Sequence, residues 1–202
     1  KCGDLRMATD GVRELCINQV GEHRIGEVPY CRCADDEQNN TRLRFLQAGI
    51  PASRHPKTLQ NFLVRPGTEA AYMAAEAFVQ ATSGPPVLVL SSHTPGTGKS
   101  HLAEAIVRET LVSGKTARYE LVADLLQKLR PPDDGAVDLR EGIMTRCVNA
   151  SLLWLDDAFM GNPSEWTAEQ LFRLIDDRIR NHRRLIVTTN HNPNTMPKIF
   201  YR

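Results

Sequence analysis

The chain has 202 residues, 41% of them hydrophobic and 24% charged, the balance of a soluble globular protein with one medium core and a small appendage. Its net charge of +1 excludes a whole-molecule basic field, so any nucleic-acid contact has to come from a local patch. No apolar run approaches a membrane span and no secretory signal is visible, so a membrane protein is excluded and a cytoplasmic location is expected.

The chain begins with Lys1 rather than Met, so the natural N-terminus is expected to be missing. Residues 1–35 carry Cys2, Cys16, Cys31 and Cys33 and no long apolar period. They read as a loop-and-hairpin module too small to bury a core without a staple. Clustered cysteines in a cytosolic chain lean toward metal rather than disulfides. A zinc site wants four soft ligands, and Cys2, Cys31 and Cys33 are the first candidates. Cys16 is either the fourth ligand or a small apolar filler, and His23 is a weaker ligand candidate.

A linker region, 36–65, follows. Asp35 to about Ala48 reads as a helix with Leu43, Phe45 and Leu46 as apolar contacts, ended by Gly49-Ile-Pro51. Residues 66–202 then alternate between two kinds of pattern. Thr68 to Ala81 is an alanine-rich helix with Tyr72, Ala75 and Val79 on one face. Pro86 to Leu90 is an apolar run that suits a strand buried on both faces. Ser100 to Ser113 is a helix stopped at Gly114, and Ala117 to Val122 a second strand. Ala123 to Arg130 and Val137 to Ala150 are helices around the breaker Pro131-Pro-Asp-Asp-Gly135. Cys147 in the second of them reads as core. Ser151 to Leu155 is a third strand. The next helix has Thr167 and Gln170 at capping-box spacing and an apolar stripe of Ala168, Leu171, Phe172, Ile175 and Ile179. Leu185 to Thr189 is a fourth strand. The order implies an α/β fold, a mostly parallel sheet flanked by helices.

The connection after the first strand carries the strongest chemical signal. Thr94, Pro95, Gly96, Thr97, Gly98, Lys99, Ser100 and His101 form a glycine-rich loop running into a helix. Small residues there let successive backbone N–H groups wrap a phosphate at a helix N-terminus. Lys99 is expected to neutralise the β/γ-phosphates of ATP, and the Ser100 hydroxyl to bind Mg²⁺. His93 stands where such loops usually have their first glycine, which leaves the tight turn to Gly96.

Leu152 to Asp157 places two carboxylates at the C-terminal end of a buried strand, the edge that faces the ligand crevice in a parallel sheet. Asp156 is expected to hold the magnesium ion and Asp157 to orient or deprotonate the attacking water. At the next strand end Asn190 is placed to sense the γ-phosphate, although Asn is also a common turn residue.

These motifs and their order resemble the AAA+ ATPases, and more narrowly the DnaC-type helicase loaders and IstB-type transposition helpers. The resemblance rests on Ala48-Gly-Ile-Pro51, Thr58-Leu-Gln-Asn-Phe62, Thr94 to Ala103, Leu152 to Asp157 and Ile186 to Asn190. It implies a P-loop AAA+ parallel sheet, ATPase activity that is weak in isolation, a homo-oligomer, single-stranded DNA and a replicative helicase as partners. It also implies that Lys128, Arg130, Arg140 and Arg146 lie on helices lining a DNA pore; a solvated helix face is the alternative. Loaders with an N-terminal zinc module show a similar Cys-x-Cys before the linker helix. Family members continue past the fourth strand into an arginine finger and a lid, so a C-terminally incomplete domain with its lid missing is expected. The nearby Arg178, Arg180, Arg183 and Arg184 do not sit where that finger does. A helper of a transposase acting on duplex DNA is the second reading.

Overall fold

Four short extended segments cannot be satisfied alone, because each exposes backbone donors and acceptors on both edges. They pair into one sheet of strand order β1-β4-β3-β2, with β1 (Val87–Ser91), β2 (Ala117–Leu121), β3 (Leu152–Asp156) and β4 (Arg184–Thr189). Every neighbouring pair is parallel, with Leu90 opposite Thr188, Leu155 opposite Val187 and Leu121 opposite Asp156. All strands therefore end at the same edge. The structure is a computed structural model that describes residues 32–50, 55–81, 86–130, 139–159 and 164–191, with the side chains of 32–39 outside the description.

The chain divides into two units, Lys1–Leu43 and Arg44–Arg202. In the first, the described backbone is the start of α1 (Arg32–Ala48). Cys2, Cys16, Cys31 and the side chain of Cys33 lie outside the described residues, as does His23. Among the described residues, no group of three or more His, Cys, Asp or Glu side chains is arranged to hold a metal ion.

The second unit holds the end of α1 and the rest of the elements. These are α2 (Glu69–Gln80), α3 (Lys99–Val112), α4 (Val122–Lys128), α5 (Arg140–Asn149) and α6 (Glu165–Arg180), together with the sheet. The strand pleat divides its core in two. Leu90, Leu152, Trp154 and Ile186 face a cluster formed with α2, α3 and Leu59. Leu153, Leu155, Leu185 and Val187 face the other side, toward α4, α5 and α6. Alternate residues of one strand thus serve opposite faces, which is why these strands read as continuous apolar runs. Among the described residues no helix is long and apolar enough to cross a membrane.

Four expectations need correction. β1 is not buried on both faces: Val89 is 44% exposed, because among the described residues the strand pairs only with β4 and lies at the edge. Leu43 and Leu46 are exposed, and Phe45 alone of the three packs on the core. α6 is capped by Ser164, whose hydroxyl accepts the Thr167 N–H, so Thr167 lies inside the helix rather than at its start. The buried stripe of α6 also runs through Leu171, Leu174 and Arg178, while Ile179 is exposed. Arg178 displaces the apolar residue because its guanidinium finds backbone carbonyls: it donates to Cys147 O at 2.5 Å, to Val148 O at 3.0 Å and to Arg184 O. Burial lowers its pKa to about 10, so the cation is retained at neutral pH. Cys147 is core, as its helical position suggests, and burial pushes its thiol up.

Candidate functional site

β1 ends at Ser91, and the chain turns through residues 92–98 into the first turn of α3. The turn depends on glycine. Gly98 is the N-cap at φ 94°, and a Cβ added there would come within 2.5 Å of the Phe62 ring. An L side chain at Gly98 is therefore excluded both by the left-handed backbone and by the close approach. Gly96 also has positive φ, whereas His93 does not, so the histidine is tolerated where phosphate loops usually carry glycine.

The polar groups of the loop have no strong partners. Among the described residues, Lys99 Nζ donates only to its own loop's carbonyls, Ser92 O at 3.5 Å and Thr94 O at 3.4 Å. The Thr97 hydroxyl is buried with no hydrogen-bond partner among the described residues. A cation held by long bonds, an orphaned hydroxyl and free N–H groups at a helix N-terminus form a cradle suited to an anion.

The acidic strand end lies beside it. The Ser100 hydroxyl donates to Asp156 Oδ1 at 3.3 Å, across 56 residues of sequence. The Tyr119 hydroxyl of β2 donates to Asp156 Oδ2 at 3.3 Å, and the Thr188 hydroxyl of β4 donates to Asp156 Oδ1. Burial first, and then the Asp156 charge, push the Tyr119 phenol up to about 12, which keeps it a proton donor at neutral pH. Asp157 follows in a left-handed conformation at φ 55°, and Asn190 Nδ2 donates to its Oδ1 at 3.0 Å. A non-glycine residue at positive φ is strained, and such strain persists where the surroundings fix it. Here Ala158 N–H donates to Thr188 O at 2.9 Å, and the Thr189 hydroxyl to Ala158 O at 2.6 Å.

The fold thus brings Lys99, Ser100, Asp156, Asp157 and Asn190 to one edge of the sheet. The donor set fits a magnesium-bound polyphosphate: a hydroxyl and a carboxylate for a hard cation, a lysine and helix N–H groups for phosphate, and a second carboxylate with an amide for a water molecule. The imidazole of His101 turns elsewhere: its Nε2 lies 3.0 Å from both Thr58 O and Asn61 Oδ1. Both of those atoms are acceptors, so Nε2 carries the proton.

Of the basic candidates, Lys128 at the end of α4 pairs with the buried Glu120 at 3.1 Å. Arg130 and Arg146 are exposed and Arg140 is half-buried. Arg178, Arg183 and Arg184 gather at the other end of the sheet. Arg183 donates to Asn149 O at 2.6 Å, and Arg184 lies over the Phe78 ring at 3.9 Å. Arg184 opens β4 and Asn190 follows its last residue, six steps of 3.3 Å or about 20 Å further on.

Tyr119 and Thr188 were missed as site residues. Their signal was the strand alternation, but it becomes readable only once β3 is known to lie between β2 and β4.

Residues 55–200 match the sequence profile of the family described as IstB-like ATP binding protein. The replicative helicase loader DnaC of Escherichia coli (strain K12) is 27% identical over 173 residues, which are 83% of this chain and 71% of that protein. The chromosomal replication initiator protein DnaA of Lacticaseibacillus paracasei is 26% identical over 178 residues, 82% of this chain and 36% of its own length. A crystal structure of the DnaC helicase loader superposes with a TM-score of 0.58 at 23% identity, over 72% of this chain and 82% of that one. The replication initiator DnaA bound to AMPPCP and single-stranded DNA gives 0.60 at 23% identity, over 69% and 43%. The chain spans less than half of the initiators it matches. At these identities the structural likeness is one of fold.

Proposed function

Because this chain belongs to the IstB-like ATP binding protein family and has the AAA+ P-loop fold, we propose that it is an ATP-driven loader of a replicative DNA helicase. The observation that carries the nucleotide part is the convergence of the Lys99 loop, the Ser100–Asp156 bond and the Asp157–Asn190 bond at one sheet edge. In this reading Lys99 and the amides of residues 96–101 bind phosphate, and Ser100 and Asp156 hold Mg²⁺, which neutralises phosphate charge when bound. Asp157 orients the attacking water, and Asn190 holds Asp157 until phosphate competes for its amide. Hydrolysis by the isolated chain is slow.

The helicase reading follows the DnaC relatives, which align over most of this chain. Single-stranded DNA would run along the exposed basic residues Arg130 and Arg146, with Arg140 and Lys128, in a homo-oligomer. The Cys-rich segment 1–35 would bind zinc through Cys2, Cys16, Cys31 and Cys33 and grip the partner, with 36–65 as linker and 66–202 as the ATPase domain.

The family description also names IstB, so a transposase helper acting on duplex DNA is the alternative. Filter binding with single-stranded and duplex DNA of equal length, each with and without ATP and magnesium, tests the two readings. A loader prefers the single strand and binds it more tightly with ATP. Preference for duplex supports the transposase helper, and binding of neither form overturns both DNA assignments.

A further inference from the structure

Thr188 is buried on β4, and its hydroxyl meets groups from four residues, Trp154, Leu155, Asp156 and Asp157. Trp154 Nε1–H donates to it at 3.2 Å and the Asp157 backbone N–H at 3.4 Å. Neither nitrogen can accept a hydrogen bond. A hydroxyl has one proton and two lone pairs, so with both lone pairs engaged its proton is free only to be given away. Two acceptors are in reach, Asp156 Oδ1 and, at 3.5 Å, Leu155 O. The carboxylate oxygen is the nearer of the two. The indole therefore aims the Thr188 proton onto Asp156.

The other carboxylate oxygen is held independently. Tyr119 comes from β2, on the far side of β3, and donates to Asp156 Oδ2 at 3.3 Å. Its ring is fixed edge-on against Trp154, with centroids 4.6 Å apart. Trp154 thus braces both hydroxyls. Ser100, which donates to Oδ1 from the phosphate loop, is the one donor of the set that a metal would recruit as a ligand.

We propose that Thr188 and Tyr119 are positioning residues that clamp the Asp156 carboxylate, one on each oxygen, in the orientation that receives magnesium. Thr188 also ties the Asp157 backbone to the same hydroxyl, so both carboxylates are set from one point. The inference rests on the reading of Asp156 as a magnesium residue. A carboxylate free to rotate would bind the cation more weakly, and loss of such outer hydrogen bonds lowers metal affinity by about 10–100-fold.

The test is a magnesium titration of the full chain with a fluorescent, slowly hydrolysed ATP analogue, alongside binding of the analogue in EDTA. Thr188→Val keeps the shape and removes the hydroxyl; Thr188→Ser keeps the hydroxyl; Tyr119→Phe removes the other donor from a partly exposed site. The clamp predicts that Thr188→Val and Tyr119→Phe each raise the magnesium midpoint about tenfold or more. It also predicts that their binding in EDTA matches wild type, and that Thr188→Ser restores the wild-type midpoint. An unchanged midpoint in either folded variant overturns it, as does a Thr188→Ser midpoint shifted as far as that of Thr188→Val. Should Thr188→Val lose its cooperative melt, the Tyr119→Phe midpoint decides alone. Wild-type protein that binds the analogue but ignores magnesium would sink the reading of Asp156 as a magnesium residue, and wild-type protein that binds no analogue would sink the nucleotide reading itself. A magnesium-responsive wild type with folded variants of unchanged midpoint sinks only the clamp.

Discussion

Arg178 shows how much a single residue can mislead when read from its position in the sequence. It lies among four arginines close to a strand end, yet its side chain is fully buried and holds the carbonyls of Cys147, Val148 and Arg184. It is a brace between α5, α6 and the start of β4, remote from the phosphate loop. Arg178→Met removes these charge-assisted bonds and leaves buried carbonyls unsatisfied, so a loss of about 2–4 kcal/mol is expected in urea unfolding. Nucleotide affinity of the folded fraction should be unchanged; a stable variant with lost ATP binding would reverse the assignment. That Lys99, Ser100, Asp156 and Asp157 come together at one sheet edge was legible because each sits in a contiguous motif at the end of a strand or the start of a helix. Tyr119 and Thr188 were not, because their role arises from strand neighbours 37 and 32 residues from Asp156. The inward turn of Arg178 was hidden because an arginine's default is solvent, and only the unpaired carbonyls at the end of α5 make burial favourable.

At the scale of elements, the stretch from Thr58 to Phe62 behaves as a clip on α3. Asn61 closes it by accepting the Thr58 N–H at 2.8 Å and donating to Pro56 O at 2.9 Å. His101 Nε2–H then ties it to the helix, and Phe62 packs edge-on against His101 at 5.2 Å and stacks with Tyr72 at 5.8 Å. His101→Ala should release the clip. Hydrogen exchange at the Thr58 and Asn61 amides is then expected to rise roughly tenfold, the worth of one or two hydrogen bonds, while α3 stays protected. Unchanged exchange would mean that Phe62 alone holds the segment. Among the described residues the alternation of strands and helices was readable, because the apolar runs of β1, β3 and β4 differ plainly from periods of 3.6, and β2 fell between two such helices. Their ends were less so. Ser164 caps α6 because its hydroxyl reaches the Thr167 N–H, a contact that Thr167 and Gln170 at capping-box spacing imitate in sequence.

For the whole molecule, a net charge of +1 means that DNA affinity has to come from a few local cations. Glu120 is shared between Arg118 and Lys128, so Lys128 keeps part of its charge beside the exposed Arg130 and Arg146 and the half-buried Arg140. About three phosphate contacts predict a slope near −2 for log affinity against log salt on a single strand, at roughly −0.7 each. Replacing Arg130 and Arg146 with Glu should flatten that slope and weaken DNA binding while ATP binding persists; an unchanged slope would place the DNA elsewhere. All of this depends on the nucleotide site at the sheet edge. Its most direct test is equilibrium titration of magnesium-ATP into wild-type protein and Lys99→Ala. Lys99 contributes no core packing, so the variant should melt like wild type, and loss of its charge-assisted contacts, worth roughly 1.5–3 kcal/mol each, should weaken ATP binding at least about tenfold. A folded Lys99→Ala protein that binds magnesium-ATP as tightly as wild type would contradict the assignment.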